Sequence, residues 1–284
     1  MTAPDGPFTD QALVRGPLYA SADRLARRTS ALHRARVAGR HAGEVIADLT
    51  EAALAPGGRR ARVVDIGCGR GTTTRMLAQR IPGAAVAGLD LSAAVLAAAR
   101  ERQPERLAVQ FIRADFYRLP LASQSCHVVV AAFCLYHCAD PGQVIGEIGR
   151  CLRPGGTAIL VTKSADSYRE LDQLVTAAGL DPGALSRAGL YDTAHSGNLV
   201  QLASAHLSVQ HVMHHAHRFT FSSLASAAEY LATSPKYQFP AAVAGDPTAI
   251  TAVLRARLRD RPVTMTSTVS YVVAKRPAGH PPCT

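Results

Sequence analysis

The chain has 284 residues, 48% apolar and 18% charged, enough to bury the core of one sizeable α/β domain with appendages, which excludes an intrinsically disordered chain. No apolar run approaches the ~20 residues of a membrane span, and MTAPDGPFTD at the start has acids and prolines where an export signal has a basic start and an apolar core, so a cytoplasmic protein is expected. The formal charge of +10 is nearly all arginine, with Lys163, Lys236 and Lys275 the only lysines, and the six scattered cysteines read as free thiols rather than a disulfide framework.

Residues 1–20, punctuated by Pro4, Gly6, Pro7, Gly16 and Pro17, read as a mobile arm. Between Ser21 and Leu54, Leu25, Leu32, Val37, Val45, Ile46 and Leu49 recur at helical spacing, which predicts one or two amphipathic helices before the breaker PGGRR at 56–60. Residues 1–55 are therefore expected to form an arm and helical cap or lid, and 56–284 the main domain. Strands and helices then alternate. ARVVDI (61–66), AAVAGLD (84–90), LAVQFIRAD (107–115), CHVVVAAFC (126–134) and TAILVT (157–162) read as strands. TTTRMLAQR (72–80), SAAVLAAARER (92–102) and PGQVIGEIGRCL (141–152) read as helices, the last with Asp140 as N-cap and Pro141 in its first turn. This alternation predicts a doubly wound α/β sheet of parallel strands. Beyond Thr162 the pattern loosens into helices at 167–180, 223–232 and 247–259 and strands at 207–213 and 264–275.

Gly67, Gly69 and Gly71 form G-x-G-x-G between the first strand and the following helix, where a backbone turns tightly or approaches a ligand. A phosphate-binding P-loop needs a lysine after its glycines, and Thr72, Thr73 and Thr74 supply none. A dinucleotide fingerprint ends in G-x-x-G, which is not the spacing here. Asp65 stands before the first glycine, Asp90 ends the second strand and Asp115 the third. Carboxylates so placed would repel a pyrophosphate and suit a ligand with ribose hydroxyls, an amine and a cationic centre.

VVDIGCGRG (63–71), GLDLS (88–92), ADFYRLPL (114–121) and LRPGG (152–156) resemble the motifs of class I S-adenosylmethionine-dependent methyltransferases. FCLYHCADPGQVIGEIGRCLRPGG (133–156) and DRLARRTSALH (23–33) are similar to small-molecule methyltransferases of bacterial secondary metabolism. The resemblance implies a Rossmann-like, mostly parallel sheet of seven strands with an N-terminal helical cap, S-adenosylmethionine as cofactor, and no metal. It implies that Asp65 belongs to the cofactor site and that Gly67, Cys68 and Gly69 present backbone to the methionine part. Asp90 would hold the ribose with Leu91 beside the adenine, Asp115 would accept from the adenine amine, and the Phe116 amide would meet a ring nitrogen. Ala132 and Phe133 would line the amino-acid end. One position departs from the family, which has an acid just before strand four where this chain has His127.

Methyl transfer from a sulfonium needs alignment above all, which supplies ~7–11 kcal/mol through effective molarity. Tyr136 and His137 follow strand four on the side where open α/β sheets bind ligands, and they are the catalytic candidates. His137 is the candidate base for a protonated nucleophile, because its ordinary pKa lies near neutrality. Tyr19 and His33 in the cap are candidate substrate contacts. His211, His215 and His217 would share one face of a strand, but no acid or cysteine stands nearby to complete a metal set. Arg24, Arg27, Arg28, Arg34, Arg36 and Arg40 form either a solvated helix face or an anion-binding one. The leading expectation is methyl transfer to the oxygen, nitrogen or carbon of a small molecule, as in antibiotic biosynthesis, by a monomer or homodimer. The alternatives are RNA methylation, favoured only by the arginine excess and opposed by few aromatic residues, and cofactor binding without turnover.

Overall fold

The β-branched runs RVVDI and CHVVVAA become adjacent inner strands of one eight-stranded sheet. The computed structural model describes residues 8, 9, 22–54 and 60–278. Its strands are β1 (Arg36–Ala38), β2 (Arg62–Ile66), β3 (Ala85–Asp90), β4 (Val109–Arg113), β5 (Cys126–Ala132), β6 (Leu152–Lys163), β7 (Ser208–Phe221) and β8 (Val263–Lys275). Its helices are α1 (Ala22–Ala35), α2 (Ala42–Ala53), α3 (Thr72–Arg80), α4 (Ala93–Glu101), α5 (Pro141–Cys151), α6 (Arg169–Ala177), α7 (Leu199–Ser204), α8 (Leu224–Leu231) and α9 (Pro247–Arg257).

The strand order is β1-β7-β8-β6-β5-β2-β3-β4. Strands β4, β3, β2, β5 and β6 run parallel, and β8, β7 and β1 continue the sheet antiparallel. The inner strands are apolar on both faces because helices cover both. Val63, Val128, Val130, Ile159 and Val161 face Val45 and Ile46 of α2 and Leu77 of α3. The alternate residues Val64, Ile66, Val129, Ala131 and Leu160 face Val144, Ile145 and Ile148 of α5. Asp140 caps α5 by accepting from the Gln143 amide at 3.2 Å, with Pro141 in the first turn. The RPGG segment is absorbed into β6 as an irregularity, where the register jumps from Cys126–Leu152 to Val128–Thr157.

The sheet has eight strands rather than seven because the stretch expected to be wholly helical contains β1. Val37 is 56% exposed and adds nothing to the core, and Gly39 turns with φ +97° just beyond. Three residues are too few for their period to register, and the edge of β7 offers them a backbone partner at Arg36–Phe219. The expected cap is also divided. Helix α2 belongs to the sheet's own layer, while α1 packs Ala31 and Ala35 with α6, α8 and α9 over the ends of β7 and β8. Phe8 and Thr9, in the stretch read as a mobile arm, are buried. Among the described residues no helix is long and apolar enough to cross a membrane.

Candidate active site

A continuous cavity of about 390 Å³ opens at the carboxyl ends of β2, β3, β5 and β6, roofed by α1. Its size falls within the range of small-molecule sites. On one side lies the glycine loop, with Gly67 at φ +62° and Gly69 at φ +54°. The two glycines answer different demands. A Cβ on Gly67 would stand 2.4 Å from the Cβ of Cys134, whereas one on Gly69 would enter the cavity with Leu25 Cδ2, 3.9 Å away, as its nearest neighbour. The Cys68 amide donates to the Leu89 carbonyl at 3.0 Å and ties the loop to β3. Cys68 itself lines the cavity, and burial pushes its thiol well up, so it stays protonated.

Asp90 ends β3 with its carboxylate at this loop. Oδ2 accepts from the Gly69 amide and Oδ1 from the Ser92 amide, each at 2.9 Å. Each oxygen keeps a further acceptor site, which suits a pair of ribose hydroxyls. Burial raises its pKa, and the Ser92 and Gly69 amides oppose the rise. Leu91, Ala114 and Phe116 continue this wall, and Ala132 and Phe133 lie at the end of β5. The open Gly69 cradle and the twice-held Asp90 fit the adenosyl and methionine parts of the expected cofactor.

Two of the expected cofactor acids do not line the cavity. Asp65, 1% exposed, lies beneath the loop and accepts from Thr74 Oγ1 at 2.6 Å, pinning α3 to β2. Burial pushes its pKa up to about 7, with the Thr74 hydrogen bond opposing and Asp90 adding to the rise. Asp115, two residues beyond β4, accepts from the Tyr117 amide at 3.0 Å and shapes the turn that carries Phe116. His127, where the family has an acid, accepts from the Arg62 amide at 3.2 Å and takes over the start of β2.

Tyr136 and His137 are brought together on the turn Leu135–His137, and both line the cavity. Tyr136 meets Tyr191 edge to face with centroids 4.8 Å apart. His137, 5% exposed, has Nδ1 3.0 Å from the Phe8 carbonyl. Burial lowers its pKa to about 4, the Phe8 contact opposing and the Arg28 charge assisting, so its imidazole is neutral at pH 7. His33 also lines the cavity, edge to face with His41 at 5.1 Å, and burial, His41 and Arg36 lower its pKa. Tyr19 lies outside the described residues.

The other half of the cavity is lined by Arg28 of the arginine cluster and His217 of the histidine stretch, and by Lys163, Tyr168, Tyr191 and Tyr230, which the sequence did not mark as site residues. Lys163, the last residue of β6, donates to the Tyr168 hydroxyl at 2.5 Å. Its Nζ lies 4.6 Å from the ring centroid of Tyr168, 5.4 Å from Phe133 and 5.8 Å from Tyr191. Lys163 directly follows the TAILVT strand, so the rule that ligands bind at strand ends reaches it as it reaches Asp90. His217 is buried with its ring against Gly39, and its Nε2 has no hydrogen-bond partner among the described residues. His211, by contrast, is exposed, and among the described residues no group of three histidine, cysteine or acidic side chains is placed to hold a metal. The arginine cluster is dispersed: Arg24 and Arg28 donate to the Thr233 carbonyl, Arg34 pairs with Glu229 and Arg40 with Asp48.

Residues 64–160 match the family described as Methyltransferase domain, Methyltransf_11. The chain is 40% identical over 157 residues to malonyl-acyl-carrier-protein O-methyltransferase of Enterobacter lignolyticus, covering 54% of this chain and 60% of that one. It is 37% identical over 105 residues to demethylmenaquinone methyltransferase of Chlorobaculum parvum, covering 37% and 42%. The chain thus spans less than two thirds of these relatives' lengths. The crystal structure of YcgJ from Bacillus subtilis superposes with a TM-score of 0.56 at 17% identity, covering 84% of this chain and 98% of that one, which is a likeness of fold.

Proposed function

We propose that this chain, a member of the class I S-adenosylmethionine-dependent methyltransferases, catalyses methyl transfer to a small-molecule acceptor by in-line displacement. The observation that carries this reading is one cavity with the Gly69 backbone and Asp90 carboxylate on one side and Tyr136, His137 and an aromatic chamber on the other. When bound, the cofactor supplies a methyl group already activated on a sulfonium. Asp90 would accept from the ribose hydroxyls, Leu91 and Phe116 would lie beside the adenine, and Cys68, Ala132 and Phe133 would border the amino-acid end. Asp65 and Asp115 serve as positioning residues for the loop and for Phe116. Tyr136 and His137 orient the acceptor, His137 accepting a hydrogen bond where the acceptor carries an N–H or O–H. A base of such low pKa draws a proton weakly, so the site suits a nucleophile that arrives ionised or is an amine or carbon. Helix α1 and His33 exclude water from the reacting atoms.

The acceptor belongs to secondary metabolism in the cytoplasm. Support for a metabolite over RNA comes from the enclosed cavity and from arginines spent on protein partners instead of a continuous basic face. Calorimetry with S-adenosylhomocysteine, followed by transfer of isotopically labelled methyl to a metabolite panel, tests the reading. Binding with label on a small molecule is the expected result. Binding of NAD in place of S-adenosylhomocysteine, or label only in RNA, would overturn it.

A further inference from the structure

Charge is divided unevenly between the two halves of the cavity, the half away from the glycine loop carrying the excess of positive groups. Among the cavity's described lining residues one is acidic, Asp90, and four are cationic, Arg28, Arg36, Arg70 and Lys163. Arg70 belongs to the glycine loop, while the other three come from α1, β1 and β6. Strands β3, β2, β5 and β6 are neighbours in that order, so Asp90 and Lys163 end strands three spacings apart, roughly 14 Å. Among the described residues neither Lys163 nor Arg36 has a carboxylate partner. Lys163 is held over three aromatic rings instead, half withdrawn from water. A cation so placed gains most from an incoming opposite charge, because the surroundings screen the attraction less than water would.

The neighbouring groups do not provide that charge. His33, His41 and His217 have pKa values lowered chiefly by burial, so at pH 7 they are neutral and add hydrogen-bonding capacity only. Burial likewise raises the phenols of Tyr168, Tyr191 and Tyr230, with the positive charge of Arg28 opposing, and keeps them protonated. The cofactor carries a sulfonium, an ammonium and one carboxylate, a net positive charge. The missing negative charge is left to the acceptor.

Resting on the methyltransferase reading, we propose that the acceptor is an anionic, conjugated small molecule. Its charged oxygen group, a carboxylate or a phenolate, docks against Lys163 within the field of Arg28 and Arg36. Its unsaturated body is enclosed by Phe133, Tyr168 and Tyr191.

The test is calorimetry on the full chain saturated with S-adenosylhomocysteine, which removes turnover from the measurement. A carboxylate arm compares 1-naphthoate with 1-naphthamide, and a phenolate arm compares 4-nitrophenolate with 4-nitroanisole at pH 8. The anion of at least one pair is expected to bind about tenfold or more tighter than its neutral partner, and the arm that does so names the group. The preference should drop to about threefold or less in Lys163→Met and survive in Lys163→Arg. Arg36→Gln should reduce it in part, which keeps the test open if Lys163→Met does not fold. Equal binding of anion and neutral partner in both arms, no binding in either, or a preference undiminished in folded Lys163→Met and Arg36→Gln overturns the proposal. Failure of the wild-type chain to bind S-adenosylhomocysteine would instead overturn the methyltransferase reading.

Discussion

The carbonyl oxygen of Phe8 lies 3.0 Å from Nδ1 of His137. A carbonyl only accepts, so this nitrogen carries the imidazole proton and the ring's lone pair is on Nε2. Burial is what chiefly holds the group at about 4, against an ordinary 6.5. Deleting residues 1–20 removes the carbonyl and uncovers the ring, so His137 should titrate closer to its ordinary value. Turnover should fall while S-adenosylhomocysteine affinity is retained. Histidine NMR titrations with and without the arm measure this, and an unchanged His137 would refute it.

The same depressed pKa sets the activity profile. With His137 neutral through the physiological range, its contribution to the rate should be flat near pH 7 and fall only as pH approaches about 4. His137→Gln should cost less than about tenfold for an acceptor already ionised, against the ~10²–10⁴-fold of a true general base. Single-turnover rates against pH for both proteins decide, and an inflection near neutrality that the variant lacks would restore the base.

Asp90 and Asp115 should separate in binding. Asp90→Ala leaves buried hydroxyls and the Gly69 and Ser92 amides without an acceptor, and should weaken S-adenosylhomocysteine by about 1–3 kcal/mol. Asp115→Ala, outside the cavity lining, should weaken it by less than about 1 kcal/mol. Equal losses by calorimetry would place Asp115 at the ligand after all.

The glycines should separate as well. Gly67→Ala and Gly71→Ala drive a Cβ to 2.4 Å from Cys134 and 2.5 Å from Phe111, so both should lower the melting temperature sharply. Gly69→Ala meets nothing closer than 3.9 Å, and beyond the strain of its positive φ it should act on ligand affinity. Thermal unfolding beside calorimetry tests this, and a Gly69→Ala protein that binds as well as wild type would move the ligand elsewhere.

Asp65 links stability to pH. Between pH 3.8 and about 7 the folded chain keeps a proton on this carboxyl that the unfolded chain releases, so the group's contribution to stability falls as pH rises through that window. Asp65→Asn removes the effect while keeping an acceptor for Thr74. Its stability relative to wild type should therefore rise by on the order of 2–4 kcal/mol between pH 4 and pH 8. Denaturant unfolding at the two pH values measures the difference, and a gap that does not change with pH would contradict it.

Asp90 and the glycine loop are legible in the sequence because strand, turn and helix follow one another locally, and the acid's position follows from strand length alone. Lys163 obeys the same rule at the far end of the sheet, but nothing local distinguishes a strand-ending lysine from a solvated one. Tyr168, Tyr191 and Tyr230 come from α6's N-terminus, an irregular connection and α8, and only tertiary packing gathers them, Tyr168 and Tyr230 over the ends of β7 and β8 and Tyr191 in the cluster that holds β5 and α5. His217 reads as one of three alternating histidines, yet its burial depends on β1 and Gly39, nearly two hundred residues earlier in the chain. Local pattern thus reaches the glycine-loop side of the cavity and the turn that carries Tyr136 and His137, while the aromatic chamber around Lys163 is made by long-range contacts.

Strand β1 has one more consequence. It is three residues long and pairs with β7 only at Arg218 and Phe219, so among the described residues it shields one end of a fourteen-residue strand. A long unpaired edge is a template on which another chain can add a strand. Along it the exposed side chains include Gln210, His211, His214 and Arg218, polar groups that suit water and resist the dry, flat contact that edge-to-edge aggregation needs. The histidine-rich stretch QHVMHHAHRF thus lies at the border of the sheet, where its exposed polar members discourage separate molecules from joining their sheets, while His217 and Phe219 turn inward to the cavity.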